Sequence, residues 1–316
     1  MAMRTARWTA ALVCALAIGA AASCHKPPSA ETRSFYMGRA GLSDAGLLGC
    51  YNTDKSGRLT LFFGAPTTVG GAYGAKLWGA PDLSVGQIAE RVKNVVRGFA
   101  YCRTNSSHRL LIGVGTSNSG IDGRSDAWLR GHGNAWAGMV RSLATWAERD
   151  YGGYARITAA WDFEPSWSSY GKAEQWMRGY DAHAGRRLLY ANASADGCPT
   201  SSASNGPCNN GWNQHRVWHL AWEHDPSLPI PQIYRTDGLQ ARQWQLIDLW
   251  ATTATGDGMY FYGTMTQHGA CRQDGGCAGI DNTPHAGNDQ LRQWLNSDRR
   301  TAQADVETMT DVNWHT

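Results

Sequence analysis

The apolar residues of this chain form two kinds of pattern. Short apolar runs predict buried strands, and longer segments with apolar residues at helical spacing predict helices. The strand-like runs are 59–65, 110–114, 156–161, 187–191, 216–222, 232–234, 243–247 and 259–262. The helix-like segments are 84–99, 128–146, 171–180 and 288–295.

This order of elements predicts an α/β fold. Strands that are apolar throughout and separated by helices are typical of a parallel sheet covered on both faces. Seven or eight such strands fit a (β/α)8 TIM-like barrel, whose usual size is ~250 residues. The late strands have short connections, so the last helices of the barrel can be degenerate. The alternative is an open doubly wound sheet, although no G-x-G-x-x-G motif follows a strand.

The N-terminal segment 1–24 has the pattern of an export signal. Arg4 and Arg7 precede the uncharged stretch 10–22, which is too short to span a bilayer. One alternative is cleavage near Ala22, and the other is lipoprotein-type processing before Cys24, where membrane contact would come only from a lipid on Cys24. Residues 25–32 are then predicted to be a tether. Residues 33–316 show no internal repeat and are predicted to form one domain.

Six cysteines follow this signal, an even number that predicts disulfides in an exported protein. The simplest pairing in chain order is Cys50–Cys102, Cys198–Cys208 and Cys271–Cys277, although six cysteines allow fifteen pairings. A zinc site is the alternative, but the sequence has no C-x-x-C spacing.

Composition and charge restrict the function. The chain has 29 Lys and Arg against 26 Asp and Glu, a net charge of +3, and no basic run, which argues against a nucleic-acid partner. With 42% hydrophobic and 17% charged residues, it fits a folded domain rather than a disordered chain. Its 15 tryptophans favour a surface that stacks on sugar rings.

The best candidate chemistry lies directly after the predicted strand 156–161, in the segment 161–164. Asp162 and Glu164 are two residues apart, so on extended backbone both side chains point to the same side. Neighbouring carboxyl groups repel each other, which raises one pKa and keeps that group protonated. A proton donor beside an ionised carboxylate is what glycosidic bond cleavage requires. The structural alternative is a helix cap or an ion pair with an arginine.

Aromatic and amide side chains recur at or near the predicted strands. They can stack on sugar faces or hydrogen-bond sugar hydroxyls, and together they are predicted to bind substrate. The predicted substrate-binding residues are Trp161, Trp167, Tyr190, Asn192, Trp222, Glu223, Gln243, Gln245 and Tyr262.

Two other enzyme chemistries have weaker patterns. His215, His219, His224 and Asp225 could bind a metal if they share a face, but no H-E-x-x-H motif is present. A serine nucleophile lacks the G-x-S-x-G motif. We therefore predict no metal and no cofactor.

The segments 161–164, 189–192 and 242–245 resemble the D-x-E, Y-x-N and W-Q segments of glycoside hydrolase family 25. They are also similar to the related glycoside hydrolase-like barrels exported by actinobacteria. The resemblance implies that Glu164 is the proton donor and that Asp162 assists it. The family also has an aspartate in a G-x-D motif at the end of its first strand. Here Asn52 and Asp54 are the nearest candidates, and Asp281 could correspond to a later aspartate of the family.

Two functions follow from these predictions. The first is an exported, monomeric hydrolase that cleaves glycosidic bonds in peptidoglycan or another polysaccharide. The second is a non-catalytic carbohydrate-binding or envelope protein with the same barrel. The D-x-E pair favours the hydrolase, and the lack of a clear G-x-D motif at the first strand favours the binding protein.

Overall fold

A parallel sheet with helices around it makes up most of the protein. The computed structural model describes residues 30–39, 41–185, 187–224 and 227–315. The strands are β1 (Ala30–Met37), β2 (Gly57–Phe62), β3 (Ala65–Val69), β4 (Ala72–Lys76), β5 (Leu83–Ser84), β6 (Leu110–Ser117), β7 (Ala155–Phe163), β8 (Leu189–Ala193), β9 (Ser227–Pro229), β10 (Gly263–Thr266) and β11 (Thr308–His315).

The helices lie between these strands along the chain. They are α1 (Leu42–Cys50), α2 (Val85–Cys102), α3 (Asp126–Tyr151), α4 (Tyr170–Ala184), α5 (Gln214–Trp218), α6 (Leu239–Thr255), α7 (His268–Gln273) and α8 (Pro284–Leu295). A 3₁₀ turn (Asn209–Gly211) precedes α5, and a π-helical turn (His219–Glu223) continues it. No helix in the described ranges has the length and apolar character needed to cross a membrane.

Eight of the strands form one all-parallel sheet in the order β10-β11-β1-β2-β6-β7-β8-β9. The chain just after β9 then approaches β10. The carbonyl oxygen of Pro229 accepts from the Tyr262 N–H at 3.1 Å, and that of Met265 accepts from the Ile233 N–H at 2.8 Å. The sheet is therefore nearly closed and barrel-like, and the prediction of an α/β fold with a parallel sheet is confirmed. The strands β3, β4 and β5 form a small antiparallel sheet between β2 and α2.

The sheet has two buried faces, and each has its own packing cluster. The inner cluster contains Tyr36, Phe62, Ala160, Tyr190, Ile230, Met265 and Val312. The outer cluster joins the sheet to the helices, as where Val92, Val96 and Phe99 are fully buried along one side of α2. Alternate residues of a strand point to opposite faces, so this division shows which side chains point into the barrel.

Two predicted strands are helical. Segment 216–222 lies in α5 and the π-helical turn, and segment 243–247 lies in α6. In α6 the buried residues Ala241, Trp244, Ile247 and Ala251 recur at helical spacing. Both runs are so rich in apolar residues that their helical spacing is hard to recognise. Strands were therefore predicted where the outer helices lie.

Other boundaries also differ from the predictions. Segment 232–234 forms only a single bridge at Gln232, and segment 259–262 ends just before β10 begins. Neither β1 nor β11 was predicted. Because β1 begins at Ala30, the last three residues of the predicted tether 25–32 belong to the barrel. The predicted signal 1–24 and the rest of that tether lie outside the described residues.

The cysteines pair as the chain order predicted. Cys50–Cys102, Cys198–Cys208 and Cys271–Cys277 are disulfides with Cα–Cα distances of 5.0, 4.0 and 5.2 Å. The first joins the ends of α1 and α2, the second closes a loop after β8, and the third closes the segment after α7. Three disulfides are typical of a protein that works in an oxidising, extracellular environment.

Candidate active site

At the end of β7, alternate residues of the segment 161–164 point to opposite faces of the sheet. Ala160 belongs to the inner cluster, so Asp162 also points into the barrel, and it is fully buried. Trp161 and Phe163 point outward, where the Trp161 ring stacks on Trp176 of α4 at 4.7 Å. The prediction that Trp161 binds substrate is therefore wrong, because this ring forms part of the outer core.

Asp162 has one oxygen bound and one oxygen without a partner. Its Oδ1 accepts from Gln232 Nε2 at 2.7 Å, and its Oδ2 has no hydrogen-bond partner among the described residues. Burial, and then the negative charges of Glu164 and Asp196, raise the pKa of Asp162 well above its ordinary value. Burial and like charge therefore favour the protonated form of Asp162.

Glu164 directly follows β7 and is partly exposed. The side chain of Asn118, which follows β6, accepts from the Glu164 N–H and donates to the Glu164 carbonyl, both at 3.0 Å. This pair of bonds holds the backbone of Glu164. Burial, and then the charge of Asp196, raise the pKa of the Glu164 carboxyl to about 8. At neutral pH Glu164 is therefore mostly protonated, as a general acid must be.

Asp196 is the third acidic residue of this end, and it lies just beyond β8. Its carbonyl accepts from the Asn209 N–H at 3.0 Å, and the disulfide Cys198–Cys208 closes the same loop. Asn209 also donates to Ser166 Oγ at 2.8 Å, in the loop after β7. The loops after β7 and β8 are thus tied together, and they hold Asp196 close enough to raise the pKa of both other carboxyl groups.

No lysine or arginine in the described ranges forms an ion pair with Asp162 or Glu164. An arginine partner would have made these groups permanently ionised and structural. Without one, burial and like charge keep protons on them, which is the state required for acid catalysis.

Aromatic rings lie beside the acidic residues. Tyr36 of β1 contacts Trp78 at 4.7 Å and Trp314 of β11 at 4.9 Å, measured between ring centroids. Burial, and then the charges of Asp162 and Glu164, raise the pKa of the Tyr36 hydroxyl. The half-buried rings of Trp78 and Trp314 therefore lie at the same end of the barrel as the acids and could stack on a sugar.

Two further predicted site residues lie at this end. Asn192 is inside the barrel beside Asp162 in the β7–β8 register, and its Oδ1 has no partner among the described residues. Trp167 is half-buried in the turn after Glu164, where its backbone N–H donates to the Glu164 carbonyl at 3.0 Å. Both positions are compatible with the predicted contact to substrate.

Tyr190 and Tyr262 lie deeper in the barrel interior than Asp162, with Tyr190 beside Ala160 in the β7–β8 register. Their rings stack at 5.6 Å, and the guanidinium of Arg58, the second residue of β2, lies over both rings. They pack in the interior below the acids, and the predicted contact of these tyrosines with substrate stays a prediction.

The predicted residues from segments 216–222 and 243–247 are in the helical layer. Glu223 pairs with His219 at 2.6 Å, and Trp222 packs against the outer core. Gln243 donates to the Cys198 carbonyl at 2.8 Å, and Gln245 is buried against Thr301. The substrate contacts predicted for Trp222, Glu223, Gln243 and Gln245 are therefore wrong, although Gln243 does brace the loop of Asp196.

The residues proposed as counterparts of other family-25 aspartates do not lie at this site. Asn52 and Asp54 contact Arg33 at the amino end of the barrel, far from the carboxyl ends of the strands. Asp281 is exposed in the loop after α7, where its carbonyl contacts His268. The strand β1 ends at Met37, and Tyr36 is its last residue that points into the barrel.

The histidines considered for a metal site lie on the outer helices. His219 binds Glu223, and His224 binds Asp181 at 2.5 Å, while His215 lies 6.0 Å from the His219 ring. Asp225 lies outside the described residues. Within the described ranges, no three histidine, cysteine or acidic side chains converge in an arrangement that could hold a metal ion.

Comparison of the sequence with models of known protein families gave no match, and comparison with curated protein sequences also gave none. The functional argument therefore depends on the geometry of this site. The sequence analysis had found Asp162, Glu164 and Asn192 but had missed Tyr36, Asn118, Asp196 and Gln232. Asp196 had a detectable signal, because it continues the alternating row of Tyr190, Asn192 and Ser194.

Proposed function

We propose that this protein is an exported glycoside hydrolase that cleaves a cell-wall or other polysaccharide, with Glu164 as the proton donor. The observation that supports it most directly is the position of Glu164 directly after β7, near Asp162 and Asp196 and without a cationic partner among the described residues, which raises the pKa of its carboxyl group to about 8. A carboxyl group that is protonated at neutral pH can donate its proton to a glycosidic oxygen. The resemblance to family 25 assigns the same role to this residue.

Asp162 assists in this proposal. Gln232 orients its carboxyl group through Oδ1, and the buried carboxyl group of Asp162 acts on Glu164 through its charge. The charge of Asp196 stabilises the positive charge that develops on the sugar ring in the transition state. The rings of Trp78 and Trp314 provide a face on which a neighbouring sugar stacks.

The finer architecture belongs to the same proposal. We take the barrel-like sheet to be a (β/α)8 TIM-like barrel, with α7 and α8 as altered late helices. In such barrels the active groups lie at the carboxyl ends of the strands, which is where Asp162 and Glu164 lie. We also propose export by the segment 1–24, with peptidoglycan or a similar glycan as the partner of the active site.

The test is zymography on peptidoglycan with the wild type and two variants. Glu164→Gln removes the proton donor and keeps the shape, so clearing should fall by about 10²- to 10⁴-fold. The matched control is Glu223→Gln, which changes a glutamate in the helical layer and should leave clearing intact. Equal clearing by the wild type and Glu164→Gln would contradict the assigned role.

A second function is supported by one observation. The strand β1 ends at Met37 without the aspartate that the resemblance to family 25 implies at the first strand, so this site has one acid fewer. A non-catalytic carbohydrate-binding protein would retain the aromatic rings without cleavage. A glycan array separates the two functions, because the binding protein would bind a glycan equally well as wild type and as Glu164→Gln, with no digestion in either case.

A further inference from the structure

Exposed apolar side chains are concentrated at α1 and at the end of α2. Within the described ranges six large hydrophobic side chains are exposed, and four of them lie here: Leu42, Leu47, Tyr51 and Tyr101. Leu47 and Tyr51 are four residues apart along α1 and its end, so they share one face. Tyr51 is 72% exposed and Tyr101 is 91% exposed. Single exposed apolar residues need no explanation, but a group of them indicates a contact surface.

The disulfide Cys50–Cys102 joins the two parts of this group. Its two Cα atoms are 5.0 Å apart, and each cysteine is the sequence neighbour of one of the exposed tyrosines, Tyr51 or Tyr101. Both helices end here, at the amino end of the barrel. The two tyrosines therefore extend from a cross-linked support, which lowers the entropy that a partner must remove on binding.

Two arginines lie in the neighbouring loop, between α2 and β6. Arg103 directly follows α2, and the Arg109 N–H donates to Ser56 Oγ at 2.8 Å, in the loop after α1. Their guanidinium groups donate to backbone carbonyls of their own loop, and neither forms an ion pair with an acid among the described residues. Asp54, in the loop after α1, is already paired with Arg33. Positive charge therefore remains beside the apolar side chains.

The start of β1 lies beside the same region. The strand begins at Ala30, and the Arg33 guanidinium donates to the Tyr51 carbonyl at 3.1 Å. Ala30 is six positions after Cys24, and even a fully extended chain of that length spans only about 22 Å. In the lipoprotein alternative for Cys24, a membrane would therefore lie within this distance of Ala30. This distance favours a lipid surface as the partner.

We propose that the ends of α1 and α2 dock on the anionic phospholipid surface of a membrane. This docking surface consists of Leu47, Tyr51, Tyr101, Arg103 and Arg109. Tyrosine rings favour the boundary between lipid and water. Each arginine near an anionic leaflet strengthens binding by about fivefold. The amino end of the barrel would then face the membrane and leave the carboxyl end open. The proposal does not depend on the proposed hydrolase function.

The direct test is flotation of the chain 25–316 with lipid vesicles. This chain contains every described element and lacks both the predicted signal and Cys24, so neither contributes to binding. We expect binding to vesicles of mixed phosphatidylcholine and phosphatidylglycerol to be about 10- to 30-fold tighter than binding to pure phosphatidylcholine. This preference should decrease as salt is added. Absence of flotation with the anionic vesicles would overturn the proposal, and this result needs no variant.

Two double variants test the docking surface itself. Tyr51→Ser with Tyr101→Ser should weaken binding to the anionic vesicles by about 10-fold, because two interfacial rings are lost. Arg103→Gln with Arg109→Gln should remove most of the preference for anionic over neutral vesicles. Wild-type binding by both double variants would place the contact elsewhere on the protein and overturn the proposal.

The matched control changes an exposed leucine and an exposed arginine outside the docking surface. Leu239→Ser with Arg272→Gln, on α6 and α7, should bind both kinds of vesicle as the wild type does. Sedimentation of the wild type without lipid tests the other occupant, a second copy of this chain. A dimer that the tyrosine variants abolish, together with no vesicle binding, would assign the surface to self-association and overturn the proposal.

Discussion

The two ends of the barrel differ in how their charges are compensated. At the carboxyl end, Asp162 and Glu164 lie near Asp196 with no cationic partner among the described residues, and their pKa values rise. At the amino end, Asp54 is exposed and paired with Arg33. Exposed pairs need no ligand to explain them, whereas buried acids that repel each other reduce stability. The presence of these destabilising acids at the strand ends is a reason to assign a function to that end of the barrel.

The largest expected effect is the loss of activity when an acidic residue at the carboxyl end of the barrel is replaced. In Asp196→Asn, loss of the negative charge should lower activity by about 10²-fold, because the transition state loses electrostatic stabilisation. The alkaline fall in wild-type kcat/KM should occur near the Glu164 pKa of about 8 and move to lower pH in the variant. A pH profile of wall digestion measures both.

The control for this experiment is Asp54→Asn, which removes an acid from the opposite end. Its pH profile should overlay that of the wild type. If Asp196→Asn retained full activity with an unmoved alkaline fall, the two ends would not differ in the way we describe.

A smaller effect concerns stability. The folded pKa of Glu164 is about 8, above its ordinary 4.5, so folded protein binds this proton more tightly than unfolded protein does. Stability contributed by the protonated group is thus complete below pH 4.5 and is lost as pH rises through 8. Glu164→Gln cannot ionise and should be more stable than the wild type by up to about 4 kcal/mol at pH 8.

Urea unfolding at pH 4.5 and pH 8 measures this difference. The variant and the wild type should have nearly equal free energies of unfolding at the lower pH. Glu223→Gln, in the helical layer, should show no gain at pH 8. A Glu164→Gln protein less stable than the wild type at pH 8 would mean that the ionised carboxylate is well accommodated.

The aromatic residues at the carboxyl end of the barrel should affect substrate binding more than the catalytic step. Trp78→Ala removes one stacking face, and we expect KM to rise about 3- to 10-fold while kcat stays nearly constant. Trp146→Ala on α3 is the control, since that ring contacts Lys93 and Arg97 in the helical layer. A fall in kcat without a change in KM would mean that Trp78 contributes to the catalytic step and not to substrate binding.

The smallest effect is expected at the amino end. The side chains of Arg33 and Asp54 are 39% and 54% exposed, so solvent screens their attraction. Asp54→Asn should change the free energy of unfolding by less than about 1 kcal/mol. Chemical denaturation of both proteins at neutral pH checks this, and a larger loss would show that the pair is structurally important.

The sequence predicted the parts of the fold that are apolar on both faces. Segments 110–114 and 156–161 became β6 and β7 because both of their faces are buried. In contrast, β1 and β11 line the barrel with polar groups such as Ser34 and Thr310, whose hydroxyls lie 2.8 Å apart. No apolar run marks such strands, so both were missed.

The site was predictable to a similar extent. Asp162 and Glu164 followed from strand periodicity, because spacing within one strand is local. Asn118 and Gln232 come from other strands, and only the register between strands brings them to β7. The depth of the tyrosines did not follow from the sequence for a related reason: residues along one strand face the same interior, but at different depths.

The pairing of β1 with β11 has a consequence for how the protein folds. It joins residues about 280 positions apart, such as Ala30 and Thr308. Contacts between residues this far apart in sequence form slowly, because closing the long intervening loop costs conformational entropy before the contacts stabilise the chain. Until that pairing forms, β1 and β11 each have an unpaired edge, so refolding yields should fall steeply as protein concentration rises.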